Sequence, residues 1–127
     1  MNKVFVYGTL KKGGRFHSVL ESSEYIGKGE TGPDFELYDT KAGYPAVKLG
    51  GNTKISGEIY NVDKDTLSKL DYIEGHPDFY ERKKTYVVEL DTALTNGILV
   101  HTCLIYYLDS DRIQTHYTKV GSGVWEN

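Results

Sequence analysis

Cysteine is nearly absent from this chain of 127 residues, which contains one, Cys103. A single cysteine cannot form an internal disulfide bond, so we expect a reducing compartment and interpret Cys103, within an apolar strand, as a core thiol. No apolar run approaches the roughly 20 residues that span a bilayer, and the opening MNKVFVY has too short an apolar run for a signal peptide. These absences predict a soluble, cytoplasmic protein that makes no use of a membrane.

Excess positive charge and metal-ligand spacing are also missing. The net charge is −3, which gives no electrostatic reason to expect a nucleic acid as partner. The four histidines are scattered without the spacing of metal ligands, and the sequence therefore predicts no metal site. Proline is scarce, with three residues, whereas glycine is frequent, with 14, and this balance indicates turns between strands rather than long disordered linkers.

The chain does contain a series of β-branched and aromatic segments. The two long segments near the C-terminus flank residues 91–97, for which we predict a hairpin through Asn96 and Gly97, and the second of them is apolar on both faces, as in a strand covered on two sides. With one strong helix, this pattern predicts a single α+β domain over residues 1–127, with a mostly antiparallel sheet that could close into a small barrel. The predicted elements are strands at residues 4–7, 35–38, 45–48, 55–62, 80–90 and 98–108, and a short helix from about residue 16 to residue 21.

The clearest helix is predicted over residues 63–74. Asp63 is a good N-cap, Gly75 suits the left-handed position after the last turn, and Pro77 prevents the helix from continuing. Apolar residues follow one another at helical spacing, and we expect all three to be buried: Leu67, Leu70 and Ile73.

Glu74 occupies an unfavourable place at the end of this helix, where the helix dipole already carries partial negative charge. Its spacing from Leu67 and Leu70 directs it inward, along the apolar stripe. Burial and the dipole would both raise the pKa of its carboxyl, as a general acid or base near neutral pH requires. The alternative is a carboxylate that reaches solvent at a frayed helix end or caps a buried hydroxyl.

A glycine-containing loop follows the first strand at residues 7–10, which are Tyr7, Gly8, Thr9 and Leu10. Such a loop exposes successive backbone N–H groups, which can hold a carboxylate or a developing oxyanion, and Gly8 would let a ligand approach the main chain closely. A Gly-Thr pair after a strand is more often a plain turn, which is the alternative interpretation of these residues.

Three further side chains are candidates for the same site. Tyr80 lies six residues after Glu74 and could stand near its carboxylate, and Tyr106 could do so from the last long strand. Either tyrosine could instead be an ordinary core or surface residue. Arg82 could bind a substrate carboxylate, although a solvated position on a strand is as good an interpretation.

Several of these motifs together resemble one family. The opening VFVYGTLKKG at residues 4–13, the helix end LDYIEG at residues 70–75 followed by Pro77, and Tyr80 with the Glu-Arg pair after it occur in the order of the γ-glutamylcyclotransferase-like superfamily. The opening is especially similar to its γ-glutamylamine cyclotransferase, or AIG2-like, branch. The resemblance extends over roughly residues 3–108, and the tail after Asp109 matches nothing.

This resemblance implies a small β-barrel with flanking helices and an enzyme that releases 5-oxoproline from a small γ-glutamyl substrate without metal or cofactor. It implies that Glu74 is catalytic, that residues 7–10 bind the substrate, and that Tyr80 and, more loosely, Tyr106 belong to the site. It leaves open the amine half of the substrate and the oligomeric state. A hypothesis from another class is a non-catalytic binding module that uses the same pocket for an acidic small ligand or peptide.

Overall fold

A computed structural model describes residues 1–90 and 98–127 of the chain. An α-helix, α1, spans Lys64–Glu74, and short 3₁₀ helices span His17–Leu20 and Ser110–Arg112. The strands are β1 Asn2–Val6, β2 Glu24–Thr31, β3 Phe35–Asp39, β4 Pro45–Leu49, β5 Ser56–Val62, β6 Glu81–Glu89, β7 Val100–Tyr107 and β8 Thr118–Lys119.

Five of these strands form a closed barrel in the order β1-β5-β2-β6-β7, and β4, β3 and β8 form a small second sheet. Neighbouring barrel strands are antiparallel except β1 and β7, which pair in parallel. The α+β class and the mostly antiparallel barrel are therefore confirmed. Closure pairs both edges of every barrel strand, so the barrel has no open edge.

The second half of strand β1, from Val4 to Val6, is apolar and is buried on both faces. Val4 and Val6 pack in one hydrophobic cluster together with Leu70 of α1, whereas Phe5 and the following Tyr7 pack in a second cluster. This division follows from the two-residue period of a strand. The end of β1, where the loop of residues 7–10 begins, is thereby fixed from two sides.

The helix begins and ends where the sequence predicts. The Asp63 side chain accepts a hydrogen bond of 2.7 Å from the backbone N–H of Thr66, and Gly75 has the left-handed conformation, with φ of 65°. Leu70 is fully buried, as predicted. The expectation for the other two apolar positions is wrong, because Leu67 and Ile73 are only half-buried.

Strand β2 is an eight-residue barrel strand that the sequence analysis did not predict as one element, because its glycines suggested breaks. A β-bulge between Tyr25 and Gly27 shifts its register against β5. A Cβ on Gly29 would lie 2.6 Å from Val87 Cγ1 and 2.9 Å from Ile59 Cδ1, so neighbouring side chains fill the space of the absent one. The short strand β8 was also missed, and the predicted helix near residue 16 is a single 3₁₀ turn.

Strand β7 is covered over only part of its length. Cys103 and Ile105 are buried, but Val100 is 55% exposed and Ile98, before the strand, is 74% exposed. The prediction of a strand covered throughout is therefore wrong, because the residues at its start do not pack in either hydrophobic cluster. The predicted hairpin turn at 96–97 lies outside the described residues. No helix in the described ranges is both long and apolar enough to cross a membrane.

Candidate active site

A cavity of about 270 Å³ lies where the loop after β1 meets the end of α1. The residues predicted for the site converge on it from separate parts of the chain. Seven of them line the cavity: Tyr7, Gly8, Thr9, Leu10, Glu74, Tyr80 and Tyr106.

The carbonyl groups of the loop are held by other parts of the protein. Gly8 O accepts hydrogen bonds from Lys11 N and from the side-chain amide of Asn127, each at 3.1 Å, and Thr9 O accepts one from Phe16 N at 3.0 Å. With its carbonyls engaged in this way, the loop is held in one orientation between the barrel and the C-terminal segment.

The backbone N–H groups of the same loop are unused. None of the four N–H groups of residues 7–10 donates to another described residue. These four residues line the cavity. A run of free N–H groups beside a cavity can hold an anion or stabilise an oxygen that gains negative charge.

Gly8 also has a packing role that the sequence analysis did not predict. A Cβ at this position would lie 2.7 Å from Cγ and 2.8 Å from Cδ of Pro45, the first residue of β4. The ring of Pro45 therefore packs where a side chain at position 8 would lie. Gly14 plays a comparable part, because a Cβ on it would overlap the Thr9 carbonyl that anchors the loop.

Glu74 is the one carboxylate among the described residues that line the cavity. It is half-buried, and its carboxylate makes no hydrogen bond or ion pair with another described residue. Burial raises the pKa of this carboxyl from its ordinary value of 4.5 to about 7. The group can therefore both accept and release a proton near neutral pH.

Three of the four tyrosines among the described cavity residues have their hydroxyls committed to a protein acceptor. Tyr7 donates to the carbonyl of Tyr106 at 2.8 Å, Tyr80 donates to the carbonyl of Pro45 at 2.7 Å, and Tyr106 donates to Asp71 Oδ1 at 2.7 Å. Burial, followed by nearby negative charge, raises the pKa of all three hydroxyls. They therefore stay protonated and shape the cavity walls.

Arg82 lies outside the cavity, in contrast to the other predicted residues. Its guanidinium binds both oxygens of Asp71, with Nε 2.9 Å from Oδ1 and Nη2 3.2 Å from Oδ2. Partial burial alone would raise the pKa of Asp71, but the hydrogen bonds from Arg82 and Tyr106 hold it below its ordinary value. The pair thus holds the Tyr106 hydroxyl, and with it the position of the Tyr106 ring.

The sequence analysis missed several residues that line the cavity. Pro45 is the first residue of β4, Tyr44 precedes it, and Phe79 follows the helix, so only tertiary contacts bring them to the loop. The segment that joins the loop to the first 3₁₀ helix folds back and presents two more side chains to the cavity. These are Arg15 and Phe16, and the remaining missed residues are Phe5 and Val6 of β1 and Ile73 of α1.

The described part of the chain forms neither a metal site nor a reactive cysteine. No group of three or more His, Cys, Asp or Glu side chains there is arranged to hold a metal ion. Cys103 is buried in the barrel, and burial raises the pKa of its thiol to about 11, which agrees with the interpretation of a core thiol.

The sequence of residues 4–127 matches the profile of the γ-glutamyl cyclotransferase, AIG2-like family. The chain belongs to this family. A Methanocaldococcus jannaschii protein whose name provisionally places it among the γ-glutamylcyclotransferases is 40% identical over 111 residues, which cover 87% of this chain and 88% of the relative. The γ-glutamylaminecyclotransferase C of Danio rerio is 37% identical over 102 residues, which cover 74% of this chain and 65% of the relative.

A solved structure shows the same fold in this family. The crystal structure of an AIG2-like protein from Mus musculus superposes with a TM-score of 0.72 at 31% identity, covering 84% of this chain and 76% of the mouse chain. The predicted family, barrel fold and enzyme class are confirmed by these matches.

Proposed function

We propose that this AIG2-like protein is a γ-glutamyl cyclotransferase that releases 5-oxoproline from a γ-glutamyl amine or γ-glutamyl amino acid, with Glu74 as general acid and base. The observation that carries the proposal is the isolated Glu74 carboxyl, whose pKa is about 7, on the same cavity as the free N–H groups of residues 7–10. The family match and the names of the relatives agree with this activity.

The reaction needs little machinery because its nucleophile is part of the substrate. The α-amine attacks the γ-carbonyl carbon, so that a C–N bond closes the five-membered lactam and the original amide C–N bond breaks. The amine enters as an ammonium, which has no lone pair. Ionised Glu74 removes one proton from it and passes that proton to the nitrogen of the departing amine. After the attack, the ring nitrogen gives up its second excess proton to the departing amine, which leaves as an ammonium, so the enzyme ends in its starting state.

The remaining cavity groups bind and orient the glutamyl half. The free N–H groups of residues 7–10 hold the α-carboxylate or stabilise the γ-carbonyl oxygen as it gains negative charge. Tyr7, Tyr80 and Tyr106 have their hydroxyls fixed, so their rings form rigid walls that favour the folded conformation of the substrate. Arg82 does not contact the substrate; it holds Asp71, which in turn fixes the Tyr106 hydroxyl.

The test is to incubate the protein with a panel of γ-glutamyl amines and γ-glutamyl amino acids and to quantify 5-oxoproline and glutamate separately. We expect 5-oxoproline without glutamate, since cyclisation and not hydrolysis breaks the amide. The matched control is the same substrate with its α-amine acetylated, which cannot cyclise. Binding of the panel with no product would instead favour the non-catalytic binding module, and glutamate as the product would indicate a hydrolase.

A further inference from the structure

The rim of the cavity carries a positive charge that the proposed chemistry does not use. Arg15 is the one lysine or arginine among the described residues that line the cavity, and its side chain is exposed. Its guanidinium makes no hydrogen bond or ion pair with another described residue. A cation in this state is available to a ligand that carries an acid group.

Two contacts hold the Arg15 guanidinium at the rim and leave its N–H donors free. Cζ lies 5.1 Å from the centroid of the Phe16 ring. Nη2 and Nη1 lie 3.6 Å and 3.7 Å from the point that a Cβ on Gly43 would occupy, so the guanidinium lies against a turn that has no side chain there. Contact with a ring restrains an arginine without consuming its five N–H groups.

The depth of the cavity decides which half of a substrate Arg15 can meet. The inner part is formed by Tyr7, Leu10, Tyr80 and Tyr106, which are between 3% and 7% exposed, whereas the exposed Arg15 lies at the open end. Cyclisation folds the glutamyl half compactly, with its amine against its own γ-carbonyl, beside Glu74. The departing half is attached to that carbonyl and must extend toward the rim.

We infer that Arg15 is a binding site for a carboxylate on the departing half, and that the enzyme prefers γ-glutamyl amino acids to γ-glutamyl amines without a carboxylate. This inference rests on the proposed function and narrows its substrate class. Phe16, 38% exposed, offers an apolar contact beside the cation for the side chain of the departing amino acid. A departing half that ends in an ammonium group is repelled by the same guanidinium.

The experiment compares three substrates that differ only at the departing half. γ-Glutamylalanine carries the carboxylate, γ-glutamylalaninamide replaces it with a neutral group of similar size, and γ-glutamylethylamine lacks the group. We expect the wild-type kcat/KM to be about five- to tenfold higher for the acid than for the alaninamide, the range of a charge-assisted hydrogen bond weakened by solvent. Equal values for the acid and the alaninamide would overturn the inference.

Variants of Arg15 assign the preference to this side chain. Arg15→Gln should lower kcat/KM for γ-glutamylalanine to the level of the alaninamide, and kcat/KM should not change for the two substrates whose departing half is uncharged. Arg15→Glu should favour γ-glutamylcadaverine, whose departing half is cationic. Lys41→Gln is the matched control, because Lys41 is exposed on the neighbouring turn and does not line the cavity. It should leave the preference intact.

Failure of the inference is distinguishable from failure of the proposed function. No 5-oxoproline from any of the substrates would reject the cyclotransferase itself. A loss in Arg15→Gln that is equal for all three substrates would show that Arg15 binds the α-carboxylate that they share, and an unchanged preference in Arg15→Gln would show that another group provides it. Both of these outcomes overturn the inference. Circular dichroism of each variant checks that it is folded, and Arg15→Lys, which keeps the charge, should keep part of the preference.

Discussion

Replacing Glu74 with glutamine should separate the function of this residue from its effect on stability. The pKa of the Glu74 carboxyl rises from 4.5 to about 7 in the folded protein, and each unit of pKa corresponds to about 1.4 kcal/mol. Holding the ionised carboxylate in the cavity therefore costs about 3 kcal/mol at pH 8. Glutamine has nearly the same shape and carries no charge, so it avoids this cost.

The sign of the pH dependence follows from the direction of the pKa change. Because the pKa of Glu74 is higher in the folded state, the stability that its protonated form contributes is complete below about pH 4.5. That stability is lost as the pH rises through about 7. We therefore expect the Glu74→Gln variant and the wild type to have similar free energies of unfolding near pH 4.5. The variant should be more stable by up to about 3 kcal/mol at pH 8.

Urea denaturation of both proteins between pH 4.5 and pH 8 measures this difference, and 5-oxoproline release measures activity on the same samples. Turnover by the variant should fall by about 10²-fold or more, the loss typical for removal of a general base. In the wild type, kcat/KM should decrease as the pH falls below about 7, because Glu74 becomes protonated. The control is Glu21→Gln, the same charge change at an exposed position, which should alter the unfolding free energy by less than about 0.5 kcal/mol. A stability difference for Glu74→Gln that does not vary with pH, or near-normal turnover, would refute the reasoning.

Three other predictions test the barrel, the support of the cavity and the chemistry. Gly57→Ala should lower the free energy of unfolding by about 1–3 kcal/mol in urea denaturation, because the new methyl group would overlap the β1 backbone and lie 2.7 Å from Phe5 Cζ. The control in the same assay is Gly121→Ala, because there is open space around Gly121. Asp71→Asn should lower the free energy of unfolding by about 1.5–3 kcal/mol at pH 7, the value of hydrogen bonds to a charged group. Because the pKa of Asp71 is lowered in the folded state, this difference from wild type should shrink as the pH falls below about 4. A constant difference down to pH 2 would argue against the pairing with Arg82. Turnover should survive dialysis against EDTA, and activity that returns only on adding a divalent ion would contradict the carboxylate mechanism.

Local sequence was sufficient for the features whose causes lie within a few residues. The limits of α1 follow from the cap at Asp63 and the left-handed Gly75, both of which act on neighbouring backbone groups. The inward direction of Glu74 follows from its spacing to Leu70 on the same helix. The helix period and the end of β1 could therefore indicate the acid and the N–H loop of the candidate site before any tertiary contact was known.

Only the tertiary structure decided what depends on distant partners. Gly8 is held between Pro45 and the amide of Asn127, which is 119 residues away along the chain. Arg82 could have faced the cavity or solvent, and its contact with Asp71 is fixed by how β6 lies against α1. Arg15 follows Gly13 and Gly14, and no local conformational preference dictates that this segment folds back to the cavity. The sequence by itself determined which groups could do chemistry, because their local geometry is set by short-range sterics and hydrogen bonds; their assembly into one cavity depends on barrel closure, which joins segments that no short-range interaction connects.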